Sequence, residues 1–414
     1  MRARLHLASL LVAIVAPAAA QPAPSSEPPA AAESAAELAV EEASSESVKE
    51  PGGGSASSLT PAWAAERTNL GNALLEQARR VEGESSRQLL AQAIIAYRSA
   101  LEVFNSEEHP RLWAATLNNL GSALEALGAI TQGEAGDKLL DSAIAAHRSA
   151  LEVFTREATP QDWAMTHDHI GAALYARALR AEQLERPLLL HEALVAHRRA
   201  LEVLTLESSP EPWSLARLNE AQVLRASGKP AEAAEALRQA LAQNPDDRVT
   251  LLQLVGLLQD ELYDHRGALQ TVNGWLQRFP EDTLVAVRSI EPLFSLGRVE
   301  EALFLARHLQ PRAERSGDLQ SVLRAYEVAT LLARKKLDAA AEALIELQKL
   351  VESRPEGWQP LWPHAGTRRY LSRADLPHQG VIVALFEAVE KPKRIEALGG
   401  LRVLASQLGL PARR

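Results

Sequence analysis

From residue 61 onward, apolar residues recur three and four positions apart, and the whole pattern recurs every fifty residues. Trp63, Trp113, Trp163 and Trp213 mark the period, as do Pro110, Pro160 and Pro210. The phrase Tyr-Arg-Ser-Ala-Leu-Glu-Val-Phe that opens at Tyr97 returns from His147 and, further changed, from His197. Between 143–163 and 193–213, 12 of 21 positions are identical without a gap. Repetition at this length signals stacked units that bury their apolar faces against one another. The three-and-four offsets predict helices, two per unit. The first runs from about Trp113 to Ala129, with Trp113, Leu117, Leu120, Gly121 and Leu124 on one face. Thr131–Asp137 reads as a turn. The second helix carries Leu139, Leu140, Ala143, Ile144, His147, Ala150, Leu151 and Phe154.

Gly71, Gly121 and Gly171 hold one register inside the first helices. A helical glycine costs about 1 kcal/mol relative to alanine, so its return predicts a close approach between helices. Small residues seven apart recur in the second helices: Ala93 and Ala100, Ala143 and Ala150, Ala193 and Ala200, Ala233 and Ala240. The tryptophans read as core. Arg98, Arg148 and Arg198 each precede a glutamate by four, a spacing for intrahelical ion pairs.

Past residue 213 the period shortens. Ser214–Asp247 is a 34-residue unit that turns at Gly228-Lys229-Pro230, and Asn244–Asp247 ends it and caps the next helix. Looser copies turn near Asp264-His265, at Gly297 and at Lys335-Lys336, for about seven helix pairs in all. The divisions expected are 61–210 for three long repeats, 211–355 for shorter ones and 356–414 for a helical cap on the exposed end. Within that cap 381–389 and 395–408 read as helices, and Trp358 and Trp362 offer an alternative contact surface.

The first sixty residues differ. Arg2 and Arg4, an apolar run from Leu7 to Ala16, Pro17 and Ala18-Ala19-Ala20 have the form of a signal peptide over 1–20. Ten apolar residues are too few to span a bilayer, so the expectation is a chain exported to the periplasm or beyond, cut near Ala20. Residues 21–60 are Ala, Ser, Pro and Glu with a net charge of −6, and read as a disordered acidic tether.

Residues 61–355 resemble the tetratricopeptide repeat family, through the Leu120/Leu124 spacing, the small-residue set Gly121, Ala143 and Ala150, and the terminal prolines. The family unit has 34 residues; here the first three are longer. The resemblance implies an all-α, right-handed superhelical solenoid whose inner face, lined by first helices, binds peptides or proteins. Related arrays sometimes carry a caspase-like peptidase domain. This chain has no cysteine, which also removes disulfides, zinc–thiolate sites and a cysteine nucleophile.

Asn69, Asn119, His169 and Asn219 share one register, and stacking would set them in a row. In the family that position faces the groove. Amides both donate and accept, so such a row suits an extended peptide backbone; it suits equally a set of bonds that fix helix stacking. Asn72, Ser122 and Gln222 lie one helical step on. The histidines show no metal-ligand spacing: His167 and His169 point apart, and His147 and His197 take the slot of Tyr97, an aromatic-sized packing position. No nucleophile elbow or phosphate-binding glycine loop is present. No enzyme, cofactor or metal is therefore expected. The formal charge of −9 argues against nucleic acid and favours basic partner segments. The reading is a scaffold for a protein or peptide partner in the envelope. Self-association through the end faces is the alternative, and an enzyme without a motif the remotest one.

Overall fold

The computed structural model describes residues 59–313, 317–354 and 364–409. The signal peptide, Trp358, Trp362 and all of the tether but its last two residues lie outside them. The described residues are helical, without strands, and the chain divides into two compact units at Ser227/Gly228.

The first unit holds α1 (Pro61–Ala78), α2 (Glu84–Leu101), α3 (Pro110–Ile130), α4 (Gly133–Ala150), α5 (Pro160–Arg180), α6 (Arg186–Leu201) and α7 (Pro210–Ala226). Proline opens α1, α3, α5 and α7, where its missing N–H costs nothing. Helices pair as α1/α2, α3/α4 and α5/α6, and each pair packs on the next, with α1, α3, α5 and α7 side by side. The turn after α3 is shorter than Thr131–Asp137: α4 begins at Gly133, whose φ of +69° suits glycine. Gly136 fits its first turn because a Cβ would lie 2.2 Å from the Thr131 carbonyl oxygen.

The glycine register does what its spacing predicts. A Cβ on Gly71 would meet the Tyr97 ring at 2.5 Å, and on Gly121 or Gly171 the ring of His147 or His197 at 2.6 Å. The alanines at 93, 100, 143, 150, 193, 200, 233 and 240 are all buried. The tryptophans need correcting. Trp213 is buried, but Trp63, Trp113 and Trp163 are half-buried. Trp113 packs on the Ala114–Ala150–Phe154 cluster of its own repeat and on the Ala64–Ala100–Phe104 cluster of the preceding one, so it staples repeats instead of filling one core. Arg67, Arg156 and Arg217 lie over the rings of Trp63, Trp163 and Trp213. The arginine spacing also misleads: Arg148 pairs with Glu192 at 3.1 Å, Arg198 with Glu220 at 2.9 Å, and Glu202 receives Arg156. These pairs join successive repeats. Arg180 reaches back to the Gly128 and Ala129 carbonyls at 2.8 and 3.0 Å, satisfying the end of α3.

The second unit holds α8 (Pro230–Gln243), α9 (Arg248–Asp260), α10 (His265–Arg278), α11 (Thr283–Val287), α12 (Ile290–Ser295), α13 (Val299–Leu309), α14 (Gly317–Ala333), α15 (Leu337–Glu352), α16 (Ala365–Leu371), α17 (Gln379–Val389) and α18 (Arg394–Gln407). Asp247, Asp264 and Asp282 cap α9, α10 and α11 with their side chains. Gly297 and Lys335 take positive φ at the turns after α12 and α14. One expected first helix is broken into α11 and α12. Pro292 has no N–H to return to the Arg288 carbonyl; the Gln259 side chain donates to that oxygen at 2.7 Å instead. The helices α17 and α18 pair and pack on α14 and α15, whereas α16 packs against α9, α12 and α17.

Candidate functional site

Two devices organise the first-helix face of the first unit. Inside each repeat, a ring from the second helix lies under the register glycine and bonds a polar side chain of the first. Tyr97 Oη donates to Asn72 Oδ1 at 2.7 Å, His147 Nδ1 to Asn118 Oδ1 at 2.8 Å, and His197 Nδ1 to Asp168 Oδ1 at 2.6 Å. Burial holds His147 neutral, its pKa well below the ordinary value, and the neighbouring His169 pushes the same way. Sequence reasoning placed these rings correctly but missed Asn118 and Asp168. The signal was available: both occupy one register, four residues before Ser122 and Ala172.

Between repeats, the row at 119, 169 and 219 forms a seam. Asn119 Nδ2 donates to Asn72 Oδ1 at 3.0 Å, and His169 Nδ1 lies 3.5 Å from Ser122 Oγ. Position 172 is alanine, which offers no partner, so Asn219 Nδ2 turns to Asp168 Oδ2 at 3.4 Å. The structure thus brings five of the seven named residues into interhelical bonds. Asn69 is exposed and Gln222 half-buried, and neither bonds another described residue. The bonded amides keep capacity: Asn72 uses only its oxygen, so its two N–H groups remain, and the Asn119 oxygen is unengaged.

Half-buried Glu125 lies on the same side. Burial lifts its carboxyl to about 8, with Asp168 pushing the same way and Arg79 opposing. Burial also lowers His169, against the pull of Asp168. One turn or two before the seam residues, Leu112, Met165 and Leu215 are 47%, 39% and 52% exposed. The face therefore combines a strip of open apolar side chains with a strip of amides and a hydroxyl, the pairing that suits an extended peptide. At its edge Glu220 is buried between Arg198 and Arg217, at 2.9 and 3.0 Å. Glu327 repeats that arrangement with Arg307 and Arg324 in the second unit. Among the described residues, no group of three or more His, Asp or Glu is placed to hold a metal ion.

Residues 214–257 match the family model described as tetratricopeptide repeat. No curated protein matches the chain. Among solved structures, it is similar to a tetratricopeptide repeat protein from Parabacteroides merdae, at 16% identity over 77% of this chain and 99% of that one, with a TM-score of 0.38. It is also similar to the TPR2AB domain of yeast Sti1 in complex with pHSP90, at 15% identity over 79% of this chain and 100% of that one, with a TM-score of 0.25. The helix pairs and the matching model define an all-helical repeat scaffold of the tetratricopeptide type.

Proposed function

We propose that this chain is an exported scaffold that holds a protein or peptide partner of the cell envelope on the first-helix face of its first unit. The observation that carries the reading is the double strip just described: exposed Leu112, Met165 and Leu215 beside amides with unspent donors and acceptors. Stacked helix pairs hold those groups in place before any ligand arrives, which limits the ordering entropy of binding. Its role is binding, not catalysis. The N-terminal sequence supports export, and no helix of the described residues is long and apolar enough to cross a membrane.

The test is affinity capture from the envelope extract of the source cell, with the mature chain beside an Asn69→Ala, Gln222→Ala, Leu215→Ala variant. These three positions make none of the seam bonds, so the variant keeps its unfolding midpoint. Loss of the partner with that midpoint intact supports the face; a partner captured equally by both removes it. Sequencing the N-terminus of the native protein checks cleavage near Ala20, and an uncut chain would overturn export by that route.

A further inference from the structure

In the second unit, the first-helix face is already covered. The segment His364–Leu371 lies across it, and nearly every residue is read by a different group. The Thr367 backbone N–H and Oγ1 donate to Glu291 Oε1 at 2.9 and 3.2 Å. Tyr326 Oη lies 2.8 Å from Thr367 Oγ1 and 3.0 Å from His364 Nδ1. The Arg369 guanidinium sits 3.9 Å above the Tyr263 ring. Tyr370 meets Phe294 edge-on at 5.9 Å, and Leu371 is fully buried. Gly366 passes so close that a Cβ would lie 2.6 Å from His265 and 2.9 Å from the Gln259 carbonyl oxygen.

The receiving groups come from the end of α9 and the turn after it, from the first residue of α10, from α12 and from α14, elements that pack on one another and on α13 and α15 without help from the segment. The segment itself contributes a helix of seven residues, far too short to hold its shape alone. Glu291 Oε2 is buried with no hydrogen-bond partner, so the receiving side has capacity its present occupant leaves unused. A carboxyl group on a backbone N–H, a hydroxyl pair, a cation on an aromatic face and a ring against an aromatic edge together make the contact set of a bound peptide.

We propose that His364–Leu371 is a ligand carried in cis. The first-helix face of the second unit is then a recognition site for a short peptide with Gly-Thr followed by a cation and an aromatic residue. The chain fills that site itself. This inference is independent of what the first unit binds, and its test needs no outside partner.

Full-length Gly366→Leu expels the segment by the clash above. A fluorescein-labelled peptide of residues 364–373 is then titrated and followed by anisotropy. The variant takes up one peptide per chain. The unaltered chain binds it about tenfold or more weakly, because the cis copy competes. A peptide carrying Thr367→Ala binds the variant about tenfold more weakly than the natural one, through the lost hydroxyl bonds. A variant with native helicity and no uptake overturns the proposal. If the variant does not fold, hydrogen exchange of the unaltered chain decides. A ligand in cis exchanges by local opening, about tenfold or more faster than Gly317–Ala333. Equal protection of the two means that the segment is ordinary core.

Discussion

Gly121 sets two opposed effects against each other. Alanine there gains about 1 kcal/mol of helix propensity, but its Cβ lands 2.6 Å from a buried ring that has no free end to swing away. Overpacking of that kind costs about 1–3 kcal/mol. Gly121→Ala is therefore expected to lower stability by up to about 2 kcal/mol in urea unfolding, whereas Gly274→Ala, with open space around it, raises it by up to about 1 kcal/mol. A second residue-scale prediction concerns pH. His147, His167 and His169 resist protonation when folded, and His167 is lowered from 6.5 to about 4. The unfolded chain then binds more protons, so this stability is intact above 6.5 and is lost as pH falls toward about 4. His147→Tyr copies the Tyr97 arrangement and removes one titrating group, so thermal melts of the variant lose less on acidification. Glu125 has the opposite sign: raised from 4.5 to about 8, it takes stability away as pH rises through that window. Glu125→Gln flattens the alkaline side of the profile; an unchanged alkaline slope would contradict the burial assigned to it.

At the scale of elements, the break between α11 and α12 gives a two-residue cycle. Gln259→Ala strands the buried Arg288 carbonyl oxygen and costs about 1–3 kcal/mol. Pro292→Ala supplies an N–H to the same oxygen, so in the Gln259→Ala background it recovers part of the loss. Additive effects in denaturant would mean that the two groups do not serve one acceptor. Most elements were legible beforehand because their signals are local: prolines at helix starts, glycine at a fixed register, alanines seven apart. The elements that escaped depend on distant partners. Pro292 was visible, but nothing near it announced that Gln259 would satisfy the freed carbonyl. The placement of α16 rests on Thr367 and Glu291, 76 residues apart, in a stretch without periodicity. The candidate face was read in part. The row at 119, 169 and 219 is visible as a register, but the partners Asn118 and Asp168 are not, because a histidine in the slot of Tyr97 reads as a packing group and its spacing does not say what its nitrogens bond. The tryptophans read as core from sequence because ring size says nothing about which edge stays wet.

At the scale of the whole first unit, stability is a sum of hairpins and the interfaces between them. Trp113 belongs to two such interfaces. Trp113→Ala is half-buried at the start, so its cost falls below the 3–5 kcal/mol or so of a fully buried tryptophan, but it is felt on both sides. Hydrogen exchange should quicken in α2 and in α4 alike; a change confined to α4 would show that the ring belongs to one repeat. The acidic balance of the sequence makes one further expectation: capture of a basic partner weakens as salt rises, and salt-independent capture counts against an electrostatic contribution.

The three seams are chemically unlike. Asn119 meets an amide oxygen that already serves Tyr97, His169 meets a hydroxyl, and Asn219 meets a carboxylate that already serves His197. Near-identical units could otherwise stack in any order, as beads of one size do. Here each joint pairs a different set of groups, so exchanging repeats would change what meets at the joints of the exchanged units. A chain with the second and third repeats exchanged would keep its composition, its helices and its charge, and would still bring a histidine ring against an amide and an asparagine against a hydroxyl it never meets in the natural order.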